Sequence, residues 1–149
     1  MKRHLLLFFL FWVSVAVWAQ KELRIAPYFD TDFARQHNAT LVRREGKVLA
    51  DYRLSLFHSL TVKLSDEQSR QLENALRTDT RTALHREEGY KRTRLYYGLY
   101  QLPALTKGQH RYLFYRNNGL RQGANPQVTL IYMTGSATLS ELKQTFGTP

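Results

Sequence analysis

Between residues 48 and 64 the chain alternates. Val48, Ala50, Tyr52, Leu54, Leu56, His58, Leu60, Val62 and Leu64 hold the even positions, while Asp51, Arg53, Ser55, Ser59, Thr61 and Lys63 stand among the odd ones. A period of two sends successive side chains to opposite faces of an extended strand, so this stretch requires a sheet with a buried face. At about 3.3 Å per residue the run is too long for one ordinary strand, and a bend or bulge is expected near residues 52–53. Leu54, Leu56, Leu60 and Val62 are expected to face inward together. Residues 40–44, followed by Glu45-Gly46-Lys47, fit a shorter strand entering a hairpin.

At Ser65-Asp66-Glu67-Gln68 the pattern changes. Ser65 can cap a helix, Gln68 can reach back to it, and two acids occupy the positive first turn. Leu72, Ala75, Leu76 and Ala83 then fall on one side at helical spacing, with Arg70, Arg77 and Arg81 opposite. Asp66–Arg70 and Glu73–Arg77 are i,i+4 pairs, and Gly89 is the latest plausible stop. Three more strands are predicted at 92–102, 110–117 and 127–134, separated by Gly, Pro and Asn turns. Thr138-Leu139-Ser140-Glu141 is a second capping box, opening a short helix with Leu139, Leu142 and Phe146 inward. The stretch 20–38 has no lasting period and is read as irregular. The order β-β-α-β-β-β-α implies an α+β fold: an antiparallel sheet of about five strands with two helices on one face.

The beginning of the chain has a different character. Lys2 and Arg3 precede an apolar run over residues 5–17, then Val17-Trp18-Ala19 before Gln20. This is the order of a secretory signal peptide, shorter than the roughly 20 apolar residues of a bilayer-spanning helix. Cleavage is expected after Ala19, leaving residues 20–149 as a single exported α+β domain in the periplasm or outside the cell, with no transmembrane segment. The chain has no cysteine, so disulfides, thiolate catalysis and Cys-ligated metal are excluded. Without the leader, 20 basic residues face 12 acidic ones, and residues 81–121 alone hold nine basic against two acidic. Almost all the excess charge lies in that segment.

Val17-Trp18-Ala19-Gln20, residues 112–117 (YLFYRN) and residues 128–143 (VTLIYMTGSATLSELK) resemble small exported Bacteroidota proteins of unknown function. The resemblance implies a Gram-negative envelope setting and assigns no residue a role.

Catalytic signatures are missing. Beyond the leader, the histidines at 37, 58, 85 and 110 lack the spacing of a metal pair. His58 lies in the apolar phase of its strand, as a core histidine does. None of the serines sits in a GxSxG elbow, and no Gly-rich phosphate loop occurs. No cofactor or metal is implied.

The basic aromatic segment is the feature that asks for a partner. Its anion-binding candidates are Arg92, Arg94, Arg111, Arg116 and Arg121, and its aromatic contact candidates are Tyr96, Tyr100 and Tyr112. Arginine forks take carboxylates and phosphates in two-point contacts, and tyrosines stack on rings. Pairing Tyr100 with Tyr112 would set Gly98 opposite Phe114 and Tyr96 opposite Arg116, gathering Arg92, Arg94 and Arg116 on one surface. The competing account is that basic strand residues keep a sheet edge soluble while the tyrosines pack. The expected function is a non-enzymatic envelope-associated binding module, its partner an anionic envelope component or another envelope protein; export argues against nucleic acid. The alternatives are a small periplasmic hydrolase whose His85, Glu87 and Glu88 converge only in three dimensions, and a purely structural subunit.

Overall fold

The computed structural model describes residues 23–121 and 126–146; the expected leader and cleavage site lie outside them. The described chain runs through a 3-10 turn (Ala26–Phe29), helix α1 (Thr31–Gln36), strand β1 (Thr40–Glu45), a 3-10 segment (Gly46–Tyr52), β2 (Leu54–Val62), α2 (Asp66–Asp79), β3 (His85–Lys91), β4 (Arg94–Leu102), β5 (His110–Asn117), a 3-10 turn (Asn118–Leu120), β6 (Val128–Gly135) and α3 (Leu139–Phe146). One antiparallel sheet of six strands results, in the order β1-β2-β6-β5-β4-β3.

The expected break in the long alternating run is present. Residues 46–52 coil, Arg53 turns left-handed at φ 56°, and the strand starts at Leu54. A register shift then separates Leu54 from Leu56. Such an irregularity moves a side chain to the other face, which corrects the expected inward set. Leu56, Leu60 and Val62 join one core cluster, whereas Leu54 joins another across the sheet. Gly135 makes the kink possible, because a Cβ there would lie 2.4 Å from the Arg53 carbonyl oxygen and 2.6 Å from the Leu54 Cα.

Helix α2 begins as its sequence dictates: Ser65 Oγ accepts from Gln68 N at 3.1 Å and Gln68 Oε1 accepts from Ser65 N at 3.0 Å. It stops at Asp79, ten residues before Gly89. There Thr80 Oγ1 donates to the Leu76 carbonyl at 2.8 Å, and the Asp79 carboxylate accepts from the amides of Arg24 and Ile25 at 2.8 and 2.9 Å. Residues 85–91, expected as helix tail or turn, form edge strand β3 instead. Its His-Arg-Glu-Glu-Gly-Tyr-Lys composition lacks an apolar phase because a charged edge resists pairing with other chains.

The helices lie on both faces of the sheet, not on one. Leu72 and Leu76 of α2 pack with Ile25, Phe29, Leu60, Leu113, Leu130 and their neighbours. Leu142 of α3 packs with Leu49, Leu54, Tyr112, Met133 and Ala137. Strand β6 shows why: Val128, Leu130 and Tyr132 meet the α2 side, Ile131 and Met133 the α3 side. An apolar run without alternation is the mark of a strand covered on both faces.

Candidate functional site

The register of β4 on β5 places Tyr97 opposite Arg116, Gly98 opposite Tyr115, Tyr100 opposite Leu113 and Gln101 opposite Tyr112. This is one residue away from the pairing expected from sequence, and a one-residue slip inverts the face of every side chain. The candidate residues are therefore dispersed.

Arg94 is enclosed against α2. Its Nε donates to Glu73 at 3.2 Å, one terminal nitrogen to Ser69 Oγ at 2.8 Å and the other to Asp66. Glu73 Oε1 also accepts from the Leu95 amide at 2.8 Å, and Arg94, Glu73 and Ser69 are all buried. Burial opposes charge on Arg94, but the two carboxylates outweigh it and hold the guanidinium above its ordinary pKa. This arginine ties β4 to α2. Arg111, half-buried, donates through Nε to the Pro103 carbonyl at 2.8 Å and stands beside the Tyr132 hydroxyl.

Two of the three tyrosines are core. Tyr112 donates to the Ala137 carbonyl at 2.7 Å. Tyr100 folds its ring over Gly98 and donates to Glu88 at 2.8 Å. Glu88 takes further bonds from Tyr90 at 3.0 Å and Arg86 at 3.3 Å, whereas its neighbour Glu87 pairs with Lys143 and lies 3.4 Å from His85. Adjacent strand residues point to opposite faces, so the two glutamates do not converge. Among the described residues no group of three metal-ligating side chains occurs, and no helix is long and apolar enough to cross a membrane.

Tyr96 is different. A register shift leaves it between Tyr97, opposite Gly89, and Leu95, opposite Tyr90. With one extra residue in the strand, Leu95 turns into the α2-side core and Tyr96 stays half-exposed. Around its ring stand Lys91 Nζ at 5.0 Å and the Arg116 guanidinium at 5.8 Å from the centroid. Arg116, with Arg121 and Lys91 adding their fields, pulls the phenol below its ordinary pKa. Arg92, at φ 56°, is exposed on the turn beside Lys91. Among the described residues, none of Lys91, Arg92, Arg116 and Arg121 forms an ion pair, while Arg53, Arg70, Arg77, Arg86 and Arg94 all do.

Lys91 was absent from the sequence-derived candidates, although its place in the basic run was visible. What the sequence hid is the bulge at Tyr96, which turns a would-be strand position into the centre of a cationic ring.

Arg116 has a second environment. It lines a cavity of about 300 Å3 on the α3 side, whose walls include Phe57, Leu99, Phe114, Ile131 and Phe146. Its Nε is out of water and has no hydrogen-bond partner among the described residues.

The model of one protein family, described as a family of unknown function (DUF6108), matches residues 12–146. No curated protein and no solved structure matches the chain.

Proposed function

We propose for this chain, which belongs to the DUF6108 family of unknown function, the role of a non-enzymatic module that binds an anionic partner. The contact is made through Lys91, Arg116 and Arg121 around Tyr96, with Arg92 at the rim. One observation carries the proposal: these cations have no carboxylate partners among the described residues and gather about one aromatic ring, while Arg53, Arg70, Arg77, Arg86 and Arg94 are each paired with an acid. Charge gathered on one patch attracts an anion more strongly than the same charge spread out. Arg92 and Arg116 remain from the surface expected at the start. Arg94 leaves it, because its charge is already spent on Asp66 and Glu73.

The setting we propose is the cell envelope, after export and removal of residues 1–19. It is supported by the charged, apolar and small-residue order of that segment. The partner is then an anionic envelope component. Intact-mass measurement on protein recovered outside the cytoplasm should give a chain beginning at Gln20; recovery there with Met1 retained would defeat the export proposal.

The binding test uses heparin as a polyanion probe. Lys91, Arg116 and Arg121 replaced together by Gln should lose about tenfold or more in affinity. Arg70, Arg77 and Arg81 replaced together by Gln remove the same charge and should lose much less. Equal losses would reduce the effect to net charge and sink the assigned site. Binding should also weaken as salt rises toward about 0.15 M, where the screening length is about 8 Å.

A further inference from the structure

We infer that the physiological ligand is an amphiphile, an anionic head on a single aliphatic chain, whose chain lies in the α3-side cavity while its head meets Arg116. The inference rests on the cationic site proposed above and adds the part of the ligand that a purely polar anion lacks.

Three features of Arg116 and its surroundings carry it. The cavity is apolar along the sheet, with Phe57 from β2, Ile131 from β6, Phe114 from β5 and Leu99 from β4 on its floor, and Leu142 and Phe146 of α3 bordering it. Four neighbouring strands span three inter-strand spacings of about 4.8 Å, or roughly 14 Å, which suits an elongated guest. Its volume of about 300 Å3 holds roughly ten units the size of a water molecule at about 30 Å3 each, the bulk of a medium-length chain and at the small end of ligand pockets.

The charges in this cavity are cationic. Lys143 is held by Glu87, and Arg116 has no ion-pair partner among the described residues. Its Nε is a buried donor without an acceptor there. A donor so placed is costly until a ligand oxygen reaches it, and a carboxylate or phosphate accepts from a guanidinium through a charge-assisted fork. The same guanidinium stands over Tyr96 among Lys91 and Arg121. A single side chain thus joins an apolar slot to a cationic surface, and an anion with a tail satisfies both.

Titration calorimetry with dodecanoate and with dodecyl phosphate, each below its micelle concentration, tests this. One-to-one binding is expected for at least one of them, and the stronger of the two identifies the head. Dodecanol should bind at least tenfold more weakly, and acetate and inorganic phosphate should show no saturable binding. Arg116→Gln should weaken the amphiphile about tenfold. Ile131→Trp, which fills the slot, should abolish it while leaving heparin binding and the thermal midpoint unchanged; Phe57→Trp is the second filling variant should the first not fold. Dodecanol binding as tightly as both anions, or amphiphile binding indifferent to both filling variants, would overturn the inference. Heparin binding without amphiphile binding would overturn it and leave the anion site standing; binding of neither would overturn both.

Discussion

The two faces of the sheet handle charge and apolar surface in opposite ways. Under α2, Leu60, Leu72, Leu76, Leu113 and Leu130 are fully enclosed, and the arginine that enters this side meets two carboxylates and a hydroxyl before it is buried. Under α3, an eight-residue helix closes over only part of the sheet, Phe114 and Ile131 stay half-exposed, and Arg116 has no acid partner among the described residues. A face whose buried arginine is already paired with acids has little to offer an anion. The face left with an apolar slot and an uncompensated donor is where binding costs least reorganisation.

The comparison breaks most sharply at the two arginines. Glu73→Ala should destabilise the fold by about 3–5 kcal/mol, because it leaves the buried Arg94 with the exposed Asp66 as its one remaining acid; replacing Glu73 and Arg94 together by apolar residues should recover most of that. Arg116→Gln should move stability by no more than about 0.5 kcal/mol. Urea unfolding of the variants compares them, and an equal cost for Glu73→Ala and Arg116→Gln would refute the contrast.

Packing gives the next largest difference. Leu60→Ala on the closed face should cost about 2–5 kcal/mol, Phe114→Ala on the open face about 1 kcal/mol. Similar urea midpoints for the two would mean that both faces are equally packed.

A pH effect of about 1 kcal/mol or less is expected from His58. Burial, with Arg43 opposite it on β1, lowers its pKa, and Glu45 only partly offsets this. Since the folded form binds the proton more weakly than the unfolded chain, the contribution of His58 is whole above about pH 6.5 and is lost as pH falls toward its lowered folded value. Thermal midpoints should therefore drop between pH 7 and 5.5 in the wild type and less in His58→Gln. A parallel drop in both would assign the effect elsewhere.

The smallest effect is spectroscopic. Burial drives Tyr100, Tyr115 and Tyr132 above the ordinary tyrosine range, whereas Arg116 pulls Tyr96 below it. An ultraviolet titration should show an early-ionising tyrosine that disappears in Tyr96→Phe and moves upward in Arg116→Gln. A Tyr96→Phe profile unchanged in its early part would refute the cationic ring.

Local signals were legible wherever a short segment decides its own conformation. The capping box at Ser65 and Gln68 forms in full; at Thr138 the cap forms in half, Thr138 Oγ1 accepting from the Glu141 amide at 3.2 Å while its hydroxyl donates to the Glu141 carboxylate, and the break at residues 52–53 falls where strand length demands it. The apolar odd positions Leu49 and Phe57, with the unbroken apolar run at 130–133, also carried the signal that the sheet is covered on both sides. The concentration of cations in 81–121, and the membership of Arg116, Arg121 and Tyr96 in that segment, were equally open to reading.

What the tertiary structure decided is which of those cations find an acid. That depends on register, and register depends on bulges: one extra residue at Tyr96 and one irregularity beside Leu54 exchange faces for everything beyond them. Side-chain period in a strand is two, so a single-residue displacement is the largest possible error in facing and leaves almost no trace in composition. The pairing of Arg94 with Glu73 and Asp66 spans more than twenty residues and exists only because α2 crosses the sheet to reach β3 at its far edge. Propensity and capping act within a turn or two of chain, whereas the neutralisation of one arginine and the exposure of another follow from contacts that chain proximity does not encode.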